Sequence, residues 1–95
     1  MPAYALFIRN SITDPEEMKI YGGKAAGAGA GHKMKPLVVY GAIETLEGQA
    51  AEGAVLLEFE TMEAAKAWYN SPAYQDALPH RLKGSDYRVL LMAGL

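Results

Sequence analysis

The sequence predicts an α+β fold of the ferredoxin-like kind, an antiparallel four-stranded sheet with two helices on one face in the order βαββαβ. Two observations carry that prediction. Four short stretches alternate β-favouring residues with period two, and the intervals after the first and third of them open with helix-capping residues. Residues 1–95 read as one domain, because a chain this short supports a single small core.

Ala3 to Arg9 sets Tyr4, Leu6 and Ile8 against Ala5, Phe7 and Arg9, which makes the first strand. Asp14-Pro15-Glu16-Glu17 then offers an N-cap, a proline suited to the first helical position and a glutamate able to reach back to the cap amide. The helix keeps Met18, Tyr21, Ala25 and Ala28 in register, but Gly22, Gly23, Gly27, Gly29 and Gly31 each cost about 1 kcal/mol relative to alanine in a helix interior. Packing, rather than propensity, must hold it. Pro36 precedes a second strand over Leu37 to Ala42, Glu47-Gly48 marks a turn, and Ala54 to Glu60 alternates Val55, Leu57 and Phe59 with Leu56, Glu58 and Glu60 as the third strand. Thr61 caps the next helix, with Glu63 near its positive end. Ser71-Pro72 restarts a short second helical piece, which puts a bend at Asn70. Asp86 to Met92 is the fourth strand.

Strands one and four are apolar on both faces, whereas two helices cover one face only. A second apolar face on a small chain calls for a partner, most commonly a twofold copy presenting the same surface. The expectation is a homodimer packed sheet to sheet.

Composition excludes several classes. The formal net charge of −2 supplies no basic field for nucleic acid or anionic lipid, and 51% hydrophobic residues argue against disorder. The absence of cysteine removes disulfides and thiolate chemistry and fits a reducing compartment. No apolar run approaches the ~20 residues that span a bilayer, and the opening Met1-Pro2-Ala3-Tyr4 lacks the basic-then-apolar plan of a secretory signal. The expected location is cytoplasmic. Two histidines far apart, without His-x-x-x-His spacing or a carboxylate cluster, make no metal set, and no cofactor is expected.

Candidate chemistry concentrates in Ala64 to Arg81, AAKAWYNSPAYQDALPHR. Trp68, among alanines on a helix, reads first as core. Tyr69 and Tyr74 carry phenols that need a partner when buried, a ligand or the bent helix itself. Ser71 reads as a cap, since no paired histidine and aspartate stand ready to activate it. His80 and His32 alone have ordinary pKa values near neutrality, so His80 is the catalytic candidate, with Asp76 on the same helix face as a relay partner. The competing reading is that His80 and Arg81 simply favour the negative end of the helix. Gly27-Ala28-Gly29-Ala30-Gly31 matches no phosphate-loop pattern and stands at a helix-to-strand junction, the reverse of the order such loops need. Lys19, Lys24, Lys33, Lys35 and His32 occupy an acid-free stretch from Met18 to Ile43, a solvated face or an attractor of anions.

AWYNSPAYQDALPHR, together with DPEEMKIY, His32 before PLVVYG, the ETLEG turn and LLEFETMEAAKAWY, resembles an uncharacterised single-domain family of the dimeric α+β barrel superfamily. Its members carry Trp-Tyr-x-Ser-Pro-x-Tyr, and the likeness covers nearly the whole chain. The wider superfamily includes antibiotic-biosynthesis monooxygenases and muconolactone isomerase-like proteins, which hold small aromatic or polyketide-like molecules between helices and sheet. The resemblance implies the fold, a homodimer and a pocket for a small organic molecule. With the polar-aromatic clustering, it implies a lining of Tyr4, Tyr21, Tyr40, Trp68, Tyr74, His80 and Arg81. The chain departs from the family pattern in its glycine-rich first helix, in Lys33-Met34 where paired glycines are common, and in Tyr40 where arginine is common. Alternative functions are a cofactor-independent monooxygenase or isomerase and a non-catalytic interaction module. Met1-Pro2 before a strand is similar to the tautomerase superfamily, whose base is a free N-terminal proline, but behind Met1 this proline is an amide. The strand order also serves RNA-recognition modules, yet strand three, AVLLEFE, carries two acids where those modules place aromatic and basic residues.

Overall fold

A computed structural model describes residues 1–95. It places β1 (Ala3–Ile12), α1 (Pro15–Gly27), β2 (Met34–Val39), β3 (Gly53–Phe59), α2 (Met62–Tyr69), α3 (Pro72–Gly84) and β4 (Ser85–Ala93) in chain order. The strands form one antiparallel sheet in the spatial order β2-β3-β1-β4, the ferredoxin-like arrangement that the alternation and the caps predict.

The caps act as the sequence suggests. Asp14 accepts from the amides of Glu16 and Glu17 at the head of α1, and Thr61 accepts from Ala64 at the head of α2. Ser71 accepts from the Tyr74 amide at 3.3 Å and donates to the Trp68 carbonyl at 2.7 Å, so one hydroxyl ends α2 and begins α3. Three details differ from the sequence reading. Glu17 does not fold back onto the cap amide, because α3 brings His80 within reach and Glu17 Oε2 pairs with its Nδ1. The piece after Ser71 is a full helix of 13 residues, which runs on through Pro79. Strand β2 starts before Pro36 and stops at Val39 rather than Ala42. Proline is tolerated there because β2 is an edge strand whose register shifts between Pro36 and Val38, so no ladder bond is asked of the missing N–H. The strand stops because Tyr40 turns to a φ of 51°, a region bulky side chains seldom adopt.

The helices cover the sheet face that carries Ala3, Ala5 and Phe7. Trp68 fills the centre, its ring 4.5 Å from that of Tyr74, 5.6 Å from Phe59 and 6.1 Å from Phe7. Helix α1 rests on α3 rather than on the sheet. The two approach so closely at Gly84 that a Cβ there would lie 2.9 Å from Glu17 Cβ and 3.0 Å from the Asp14 carbonyl. The opposite sheet face has no helix over it. Val38, Leu56, Leu6 and Leu90 are register partners in one row across all four strands, and Val38 and Leu90 are 41% and 42% exposed. No helix is long and apolar enough to cross a membrane.

Candidate functional site

Met18, Gly22, Ala25 and Gly29 recur at intervals of three and four residues, which puts them on one side of the first helix and its C-terminal turn. That side looks across to Met34, Val55 and Leu57 of the sheet, and its small side chains do not fill the gap. What remains is a cavity of about 520 Å³ between α1 and the β2–β3 half of the sheet. Two of the glycines that weaken the helix, Gly22 and Gly29, therefore also create the space beneath it. Phe7 and Trp68 close its inner side, and Pro36, Val39 and Tyr40, all exposed, border its opening.

The walls are mainly apolar, and no carboxylate lines them; Arg9 and His32 are their only basic residues. Arg9 lies at a cluster of phenols. Its guanidinium carbon is 4.6 Å from the Tyr40 ring centroid, and Glu52 Oε1 is 2.9 Å from its Nε. The Tyr40 hydroxyl shares a hydrogen bond with that of Tyr87, and a Cβ at Gly53 would come within 2.9 Å of the Tyr40 ring. The left-handed backbone of Tyr40 is thus held by contacts on both sides of its side chain. A second phenol pair, Tyr21 and Tyr74, shares a 2.8 Å hydrogen bond. Arg81 lies between the two pairs, its guanidinium carbon 5.2 Å from the Tyr87 ring centroid, 5.9 Å from Phe7 and 6.0 Å from Tyr21. It is only 4% exposed and has no carboxylate partner.

Burial is the largest influence on three of these phenols and raises each pKa. At Tyr21 the neighbouring Tyr74 adds to the rise and Arg81 opposes it. At Tyr74 the hydrogen bond from Tyr21 and the charge of Arg81 oppose it, and at Tyr87 the Tyr40 hydroxyl adds while Arg9 opposes. All three are neutral hydrogen-bonding groups at physiological pH. Because the folded state holds these protons more tightly than the unfolded chain, their contribution to stability is complete below the ordinary phenol pKa of about 10 and declines as pH rises above it. Absorbance titration at 295 nm is expected to ionise fewer phenols in the native protein near pH 11 than in the same protein in guanidinium chloride. Identical titration curves would mean that the cluster is open to solvent.

The structure brings Tyr21, Tyr40 and Trp68 into the cavity wall and sets Tyr74 and Arg81 directly behind it. It does not bring Tyr4 or His80 there. Tyr4 lies on the uncovered sheet face, its hydroxyl donating to Glu58 Oε2 at 3.1 Å. His80 sits at the α1–α3 seam with Glu17, while Asp76, its expected relay partner, pairs with Lys24 Nζ at 2.6 Å. His32, the other imidazole, does line the cavity. The sequence reading missed Arg9, Glu52 and Tyr87. For Arg9 and Tyr87 a signal existed, since each continues the inward alternation of its strand, with Phe7 and with Val89 respectively.

The family model described as Domain of unknown function (DUF1330) matches residues 2–95. Comparison with curated proteins gives no match. Among solved structures, a protein of unknown function from Rhodopseudomonas palustris superposes with a TM-score of 0.76 at 17% identity, covering 99% of this chain and 82% of that one. A dimeric ferredoxin-like protein of unknown function from Thermobifida fusca gives 0.65 at 15% identity, covering 99% and 92%. SnoaB, a cofactor-independent oxygenase from Streptomyces nogalater, gives 0.54 at 10% identity, covering 99% and 91%. At these identities the likeness establishes a shared fold.

Proposed function

The chain belongs to the DUF1330 family, and on that premise we propose that it binds a small, mainly apolar organic molecule in the cavity beneath α1, as a homodimer joined through the uncovered sheet face. The cavity carries the reading. Its volume of about 520 Å³ falls within the ~300–1,000 Å³ of small-molecule sites, and its apolar walls end in a few convergent polar groups, the usual composition of such sites. The dimer is supported by the apolar row on the bare sheet face and by a structural neighbour described as dimeric. A cofactor-independent oxygenase or isomerase is a second reading. It draws on the fold shared with SnoaB and on His32 in the wall, an imidazole able to take a proton from a bound molecule.

The fluorescent neutral probe N-phenyl-1-naphthylamine tests the cavity. It is expected to bind the wild-type protein with a rise in emission, and Gly22→Leu is expected to weaken that binding at least tenfold. Gly22 lines the cavity and a Cβ there meets nothing within 4 Å, so leucine adds bulk at the cavity wall without a backbone clash. Unchanged binding in a folded Gly22→Leu protein would place the probe elsewhere and overturn the reading.

A further inference from the structure

We infer that the molecule this cavity takes is an anion, an aromatic or similarly apolar carboxylate whose negative charge is balanced by Arg81 from behind the cavity wall. The inference rests on the cavity reading above and adds the charge of the ligand.

Three buried side-chain polar atoms lack a hydrogen-bond partner, namely Arg9 Nε, Trp68 Nε1 and Arg81 Nε. All three are donors, and all three belong to one place. Arg9 and Trp68 line the cavity, and Arg81 packs against the rings of Phe7 and Tyr21 in its wall. Glu52 lies 2.9 Å from Arg9 Nε but off the N–H direction, so it offsets the charge without satisfying the donor. An unmet buried donor is costly, and more so when it is charged. A cluster of such donors with no carboxylate in the wall is complementary to a ligand that brings acceptors.

Charge narrows the class. Arg81 is almost wholly buried, and the acids that could have paired with a nearby cation are engaged elsewhere, Glu17 with His80, Asp76 with Lys24 and Glu52 with Arg9. Three aromatic rings stabilise the guanidinium in part, through their electron-rich faces. They do not supply the counter-charge that a buried ion calls for. The surrounding phenols are neutral and so cannot supply it either. Each phenol pair shares one hydrogen bond, which leaves one hydroxyl proton per pair free to donate. A carboxylate accepts several hydrogen bonds at once, which suits the unmet donors of Arg9 and Trp68 in the wall, and its charge offsets that of Arg81 behind it, while the apolar walls suit an aromatic body.

The test compares 2-naphthoate with 2-naphthamide, which share a shape and differ in charge, by quenching of Trp68, the single tryptophan and a cavity residue. Wild-type protein at neutral pH is expected to bind the naphthoate at least tenfold more tightly. Arg81→Met is expected to abolish that preference, and Arg81→Lys to keep part of it. Equal affinities for the two compounds on wild-type protein would overturn the inference whatever the variants do. If N-phenyl-1-naphthylamine still bound, the cavity reading would stand and only the anion would be lost; if no probe bound, both would fail. A preference that persisted in folded Arg81→Met would assign the anion to another cation and equally overturn the role of Arg81.

Discussion

Leu6→Asp is expected to convert the proposed homodimer to a folded monomer. Leu6 lies on the central strand β1, paired with Leu56 on one side and Leu90 on the other, at the middle of the apolar row that also includes Val38. In a twofold sheet-to-sheet dimer the row meets its own copy, so one substitution introduces two carboxylates facing each other across an interface that excludes water. Each loses hydration worth several kcal/mol and gains no partner, while every 1.4 kcal/mol weakens association tenfold. The dissociation constant is expected to rise by a factor of about 10³ or more. The monomer should survive, because the inward neighbours Ala5 and Phe7, both buried, keep the helix-facing core. Sedimentation velocity at a series of concentrations, with circular dichroism to confirm the fold, measures both. A Leu6→Asp protein that sediments as a dimer would exclude this face as the interface. Leu90→Lys, on the neighbouring edge strand, gives an independent result if the first variant folds poorly.

The same alternation explains which site residues were legible in the sequence. Period two places Tyr4 opposite Ala5 and Phe7, so its separation from the cavity is already written in the first strand. His80 and Arg81 are adjacent on a helix and so point about 100° apart, which prevents both from serving one pocket; the structure buries Arg81 and leaves His80 at the seam. Side-chain type singled out Tyr21, Tyr40, Tyr74 and Arg81, which converge from three separate parts of the chain. Type could not pair Arg9 with Tyr40 and Tyr87, because that contact depends on the β1–β4 register and on the turn at Tyr40. The caps at Asp14, Thr61 and Ser71 fixed three helix starts, since a cap is a local interaction. Strand β2 was misplaced for the opposite reason. Proline is a breaker by local rules, and only a position at the sheet edge beside a bulge makes it acceptable. The glycines of α1 were legible as a local weakness, but their effect on the cavity depends on what stands across from them.

Trp68→Ala is expected to destabilise the fold by about 3–5 kcal/mol, the range for removing a large buried aromatic side chain. A domain of this length has roughly 5–14 kcal/mol in total, so about a fifth of the stability or more is at stake. Trp68 is 3% exposed, and its ring joins Phe7 and Phe59 of the sheet to Tyr74 of α3. Helix α2 has only eight residues and buries just Ala65 and Trp68, so losing the indole leaves it one small anchor. The loss should be one of packing, not of hydrogen bonding, because Nε1 has no partner in the folded protein. Trp68→Phe keeps much of the ring contact and is accordingly expected to cost only about 1–1.5 kcal/mol, as for a modest change of core shape. Urea unfolding at one fixed protein concentration, followed by far-ultraviolet circular dichroism, compares the two variants without relying on the lost fluorophore. Equal costs for alanine and phenylalanine would mean that the indole nitrogen, rather than the ring volume, stabilises the fold. That result would also remove Trp68 Nε1 from the unmet donors around the cavity, leaving the two arginines to account for an acceptor-bearing ligand.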